Sequence, residues 1–213
     1  MIKPQKSNEV AVVDIGVSNI ASVTNALIEL GYEPVVLKDP KLILEFERLI
    51  LPGNGSFRVA VERLVQIGWV GPIRNFAKSN KPILGICLGM QLMATVGEED
   101  GNSDGLDLIP GISRKLNSQS LRLPHVGWNT VTLSRSHYVF EGIKPERDFY
   151  FCHSFVFEPR NFQDHLCHTN YGSAFTSVVS LDNVVGVQFH PEKSQKNGLR
   201  LLANFMTWDG TAN

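Results

Sequence analysis

Pro82-Ile83-Leu84-Gly85-Ile86-Cys87-Leu88-Gly89-Met90-Gln91 carries the strongest signal in the chain. Pro82 to Ile86 is an apolar run of the length of a buried strand, and Met90 to Val96 reads as a helix. Between them lies Gly85-x-Cys87-x-Gly89, so the backbone has to turn sharply with Cys87 at the bend. Such a bend strains its middle residue, while flanking glycines let neighbouring backbone approach without a side-chain clash. The thiol is thereby presented at the carboxyl end of the sheet, where open α/β folds place their ligands. A helix starting behind it favours the thiolate, and nearby backbone N–H groups can hold an oxyanion. A free cysteine more often only packs in a core. The strand before this one and the helix after it favour a nucleophile.

The strand and helix rhythm extends upstream. Val10 to Ile15 is a buried strand ended by Gly16. Asn19 stands as an N-cap ahead of the stripe Ile20, Val23, Leu27 and Leu30, and Gly31 stops that helix. Pro34 to Leu37 is a second strand, placed near an edge by its proline. Leu49 to Leu51 is a third, broken by Pro52-Gly53. Ser56 caps a helix with Phe57, Val61, Leu64 and Gly68 on one face, and Val70 to Ser79 continues as another.

This alternation predicts an α/β fold: a doubly wound, mostly parallel sheet with helices on both faces. From Gly105 to Ser180 the signals become short alternating strands, Thr130 to Leu133 and Tyr150 to Phe157 among them. They predict an antiparallel or mixed extension of the sheet. Val184 to Phe189 returns as a buried strand, and Asn197 to Met206 closes the chain as a helix with Leu202, Phe205 and Met206 inward. With no repeat and no dividing linker, residues 1–213 are expected to form one domain, about 1–8 being a polar extension.

A nucleophilic thiol needs a base. Gly186-Val187-Gln188-Phe189-His190-Pro191-Glu192 supplies one at the end of a strand. In extended chain, residues two apart point to the same side. Glu192 can then accept a hydrogen bond from the imidazole of His190, fixing its tautomer, while the other ring nitrogen takes the proton of Cys87. A lone His-x-Glu is more often a surface pair; beside a cysteine at a strand-to-helix bend the balance reverses.

Composition narrows the partners. Hydrophobic residues at 43% and charged residues at 19% suit an ordinary globular protein. A formal net charge of -1 gives no electrostatic reason to expect nucleic acid. No apolar run reaches the ~18 residues of a membrane span, and MIKPQKSNE lacks the apolar core of a signal peptide. Three cysteines without an export signal suggest reduced thiols in a cytoplasm. Cys152-His153 and His165-x-Cys167-His168 raise the question of a metal. They lack a repeated ligand pair, and strand alternation separates many of these side chains, so neither metal nor other cofactor is expected.

These segments resemble the class I glutamine amidotransferases, and within that class the glutaminase subunits of imidazole glycerol phosphate synthase. The likeness spans nearly the whole chain. It is carried by Leu51 to Phe57, Leu84 to Leu92, Gly105 to Gly111, Pro124-His125-Val126-Gly127-Trp128-Asn129, Tyr150 to Ser154, and Gln188 to Ser194. The resemblance implies that Cys87 attacks the side-chain amide of L-glutamine, forms a thioester and releases ammonia. It implies oxyanion and substrate-binding positions at Gly53, Asn54, Gly55, Leu88, Gln91, Glu99, Ser154 and Phe155.

It also implies a separate (β/α)8 synthase subunit, bound as a heterodimer, that receives the ammonia and makes imidazole glycerol phosphate and AICAR in histidine biosynthesis. By the same resemblance, Asn19, Trp128, Lys193 and Lys196 are expected at interface or signalling positions. Three departures matter: Ser18 replaces a usual glycine, Asn54 a common valine, and Ala94-Thr95-Val96-Gly97 a Phe-Glu-Glu-Ser run. They leave open a paralogue feeding a synthase that amidates a surface-polysaccharide sugar. From other classes, the rivals are a cysteine-based ester or peptide hydrolase and a non-catalytic binding module.

Overall fold

The computed structural model describes residues 8–16 and 19–211; Ser18 and nearly all of the N-terminal extension lie outside them. Strands β1 (Glu9–Val13), β2 (Glu33–Leu37), β3 (Leu49–Gly53) and β4 (Ile83–Cys87) alternate with helices α1 (Ile20–Glu29), α2 (Phe57–Gln66) and α3 (Val70–Lys78). A single turn of helix, α4 (Leu88–Leu92), follows β4 directly. The second half contains β5 (Val96–Gly97), β6 (Ser103–Asp104), β7 (Gly111–Lys115), β8 (His125–Leu133), β9 (Arg147–His153) and β10 (Phe155–Pro159). It ends with β11 (His165–Tyr171), β12 (Ser173–Leu181), β13 (Val184–Val187) and α5 (Gln195–Thr207).

Nine strands form one sheet in the order β2-β1-β3-β4-β13-β12-β11-β8-β9, and β10-β7-β5-β6 form a second. The first five are parallel, and β12, β11, β8 and β9 extend them antiparallel. Strand alternation explains why both faces need helices. Val10 and Val12 point into one core, with Val23 and Leu27 of α1 and Leu201, Leu202 and Phe205 of α5. Ala11 and Val13 point into the other, with Phe57 and Leu64 of α2, Ile73 and Phe76 of α3, and Met90 of α4.

Three expectations are corrected. β3 is not broken by Pro52-Gly53: its ladder to β1 ends at Ile50, while pairing with β4 runs on to Gly53 opposite Cys87. By Pro52 the strand has left β1, and no N–H is needed on that side. The helix after Cys87 stops at Leu92 because Leu106, Leu108 and Ile109 donate their N–H groups to the carbonyls of Leu92 and Met93. Tyr150 to Phe157 is two strands: β9 pairs with β8 in the large sheet, and β10 with β7 in the small one.

Ser56 is the residue before α2, but its hydroxyl caps nothing; the Glu99 carboxylate accepts from the Phe57 N–H at 2.6 Å instead. Thr95 bonds Asp107 at 2.7 Å, tying the departing run Ala94-Thr95-Val96-Gly97 to the loop before β7. No helix among the described residues is long and apolar enough to cross a membrane.

Candidate active site

β4 ends on Cys87, whose backbone sits at φ 55° and ψ -109°. Side chains rarely adopt this region. The bend is possible because α4 lies hard against β3. A Cβ on Gly89 would sit 1.8 Å from the Leu51 carbonyl oxygen, and one on Gly53 2.8 Å from the Gly89 nitrogen.

β13 lies beside β4 with Val187 opposite Ile86, which carries the following residues to the level of Cys87. The His190 N–H donates to the Tyr150 carbonyl at 2.8 Å. Pro191–Lys193 then form a 3₁₀ turn, so Glu192 reaches back to His190 through a tight turn rather than along extended chain. The buried Ser194 hydroxyl locks that turn, donating to the His190 carbonyl at 2.6 Å and accepting from the Tyr150 N–H at 3.0 Å.

His190 Nδ1 lies 2.8 Å from Glu192 Oε1, and the two side chains are 7% and 2% exposed. The Cys87 sulfur is the other group that acts on this imidazole. Burial pulls the imidazole pKa down, but its interactions with Cys87 and Glu192 together outweigh it and raise the value to about 10. A thiol, an imidazole and a carboxylate in this order can keep a proton on the ring and a nucleophile on the sulfur.

Cys87 opens onto a cavity of 190 Å³. Of the positions expected around it, Asn54, Gly55, Leu88, Gln91, Glu99, Ser154 and Phe155 line it; Gly53 is buried beneath. Several of these are already engaged, the Gln91 amide with the Phe155 carbonyl and Gln188 among them. Glu99 Oε2 holds the α2 N-terminus, and the Gly55 N–H donates to the Asn54 side-chain oxygen at 3.0 Å. A larger cleft of 440 Å³ lies at the amino ends of β4 and β13. Its Arg74 is committed to the carbonyls of Leu106 and Gly105 and its Asp107 to Thr95.

The family's own model matches residues 11–208 as Glutamine amidotransferase class-I. The chain is a class I glutamine amidotransferase. Its amidotransferase relatives include the imidazole glycerol phosphate synthase subunit HisH of Sulfurimonas denitrificans, 44% identical over 92% of this chain and 96% of that one. The HisH of Desulfitobacterium hafniense is 42% identical over 93% and 94%. A solved glutamine amidotransferase superposes with a TM-score of 0.74 at 18% identity, covering 95% of this chain and 99% of that one, which places the α/β fold in the same structural group.

Three of the expected interface residues share one face of this amidotransferase. Trp128, 48% exposed, stands edge-on to Tyr150, and Lys193 Nζ lies 5.8 Å above the same ring. Trp128 and Lys196 line one shallow cleft. Asn19 is outside that cleft, bonded to the Ser22 hydroxyl at the start of α1. Among the described residues no group of three His, Cys, Asp or Glu side chains is placed to hold a metal ion. Sequence reasoning gave no role to His125, Asn129, His153 and Gln188, although the first two stand in the Pro-His-x-Gly-Trp-Asn run and the last beside His190; their placement next to the cavity is visible only in three dimensions.

Proposed function

We propose that this chain is the glutaminase subunit of an imidazole glycerol phosphate synthase. Cys87 Sγ attacks Cδ of the glutamine side-chain amide, and the C–N bond breaks as His190 gives its proton to the leaving nitrogen. Ammonia departs and a thioester remains. Water, deprotonated by His190, then attacks the thioester to give glutamate and return the sulfur. Glu192 holds the imidazole in register through both steps. The buried His190–Glu192 pair, acting on a Cys87 whose sulfur opens onto a small cavity, carries this reading.

Backbone N–H groups of Leu88 and the Gly53-Asn54-Gly55 segment serve the oxyanion, that of Gly55 once it leaves the Asn54 side chain, and Gln91, Glu99, Ser154 and Phe155 hold the rest of the substrate. The ammonia passes to a separate (β/α)8 synthase subunit, docked over the face of Trp128, Lys193 and Lys196 and reaching Asn19 at the start of α1, for the synthesis of imidazole glycerol phosphate and AICAR in the histidine pathway. The similarity to HisH subunits over nearly the full chain supports that acceptor over a polysaccharide synthase. The cytoplasm, where the free thiols Cys87, Cys152 and Cys167 stay reduced, is its compartment.

The test is glutamate release by purified protein, alone and with the cyclase subunit of a histidine pathway. Stimulation by that subunit is expected, with loss of activity in Cys87→Ala. Ester hydrolysis without glutamine turnover, or stimulation only by a sugar-amidating synthase, would overturn the reading.

A further inference from the structure

Three buried side chains and one half-buried one beside the cavity, His125, His153, Gln188 and Asn129, are left without a role by the chemistry above. We infer that they join Gln91 in one hydrogen-bond network of fixed direction, in which His125 and His153 are both neutral Nδ1–H tautomers and act as positioning residues for the Phe155 carbonyl and, through Gln91 and Gln188, for the Cys87 thiol. The positioning half of this inference rests on the glutaminase reading; the tautomer half does not.

A carbonyl oxygen can only accept, and that settles the direction. The Phe155 oxygen lies 2.9 Å from His153 Nδ1 and 2.9 Å from Gln91 Nε2. His153 therefore carries its proton on Nδ1, which leaves Nε2 as an acceptor. That nitrogen is 3.0 Å from His125 Nδ1, so His125 must donate there. His125 Nε2 is in turn an acceptor, 3.2 Å from Asn129 Nδ2.

The orientation of Asn129 is set independently, because the same Nδ2 donates to the Asn170 carbonyl at 2.9 Å. Two carbonyls on different strands, one at each end, thus demand the same direction. Protonating either ring at both nitrogens would bring two N–H groups face to face. Burial, which pulls the pKa of His125 down to about 4 and that of His153 to about 3, agrees with neutral rings. His125 is further held between Phe151 and Tyr171, with ring centroids at 4.8 and 4.1 Å.

Beyond Phe155 the direction continues. The second hydrogen of Gln91 Nε2 goes to Gln188 Oε1 at 3.1 Å, which turns the Gln188 nitrogen toward Cys87 Sγ at 3.8 Å. The cavity wall at Phe155 and a donor to the nucleophile are thus set by one chain of bonds that begins next to Trp128.

Histidine-labelled protein, observed by long-range proton–nitrogen correlation near pH 7, tests the tautomers without any substitution. Two neutral rings protonated at Nδ1 are expected; either one as an Nε2–H tautomer or an imidazolium overturns the inference. For positioning, His125→Phe keeps a ring between Phe151 and Tyr171 but removes the donor, and His125→Asn restores a donor near Nδ1. In the synthase complex, the Phe variant is expected to raise KM for glutamine about tenfold, the scale of one lost buried hydrogen bond, with a smaller change in kcat. The Asn variant is expected to recover most of that loss. Unchanged KM in a folded Phe variant, or equal behaviour of the two variants, overturns positioning. If wild-type complex releases no glutamate, the glutaminase reading fails, while the tautomers stand or fall by the spectrum alone.

Discussion

The backbone at Cys87 lies in a region that costs a side-chain residue about 1–3 kcal/mol, and the neighbouring strand and helix hold it there. Glycine tolerates that geometry. Cys87→Gly is therefore expected to be inactive yet more stable than Cys87→Ala by about 1 kcal/mol, read from denaturant midpoints. His190 owes its high pKa, about 10, to its interactions with Cys87 and Glu192 acting against burial. The departing nitrogen needs the imidazole proton, so activity is expected to fall as pH rises through that value. In Glu192→Gln the neutral amide gives less support to the imidazolium, and the alkaline limb of kcat/KM should move to lower pH. Asn54 supplies a third test. Its side chain occupies the Gly55 N–H at the cavity wall, and Asn54→Val frees that donor. Partner-free glutaminase activity should rise by about fivefold, the worth of a hydrogen bond of ~1 kcal/mol; an unchanged rate would mean that this amide never faces the oxyanion.

Elements show how far the sequence could be read. The strand-to-helix bend at Cys87 was legible because its glycines are demanded by contact: a Cβ at Gly89 meets the Leu51 carbonyl, and one at Gly198 in α5 would lie 1.8 Å from the Pro191 carbonyl. Each site segment is thus followed by a helix seated on backbone. Gly89→Ala is expected to cost about 3 kcal/mol or more and to lower kcat as α4 is pushed away, measured by thermal unfolding and by turnover of the folded fraction. The His190–Glu192 pair was legible from spacing, although a 3₁₀ turn rather than extended chain brings them together. Partner choice was not legible. Phe151, His153, Phe155 and Phe157 keep the two-residue spacing of one continuous strand, and only the competition between β8 and β7 for neighbours divides it at Ser154. The end of α4 was hidden for the same reason, since the loop at 106–109 that stops it is remote in sequence. Glu99 looked like a substrate contact alone; its second task, capping α2, needed the fold.

For the whole molecule, the proposed docking face and the nucleophile are joined through β8, β9 and the turn after His190. Trp128 is half exposed and rests on Tyr150, whose carbonyl accepts the His190 N–H. Trp128→Ala is expected to weaken association with the synthase at least tenfold, by titration calorimetry, while leaving the unpartnered glutaminase rate within about twofold. A matched loss of both would place the tryptophan in the active-site fold rather than at an interface.

One consequence follows from the single residue between β9 and β10. His153 closes a strand of the large sheet and Phe155 opens a strand of the small one, so the cavity beside Cys87 lies on a seam. The sulfur is anchored on one side of it, and Phe155 of the cavity wall on the other. A slight shear between the two layers would narrow or widen the cleft while leaving thiol, imidazole and carboxylate in register. Throttling such an enzyme requires no rearrangement of its reactive groups, only a shift of the plate that faces them.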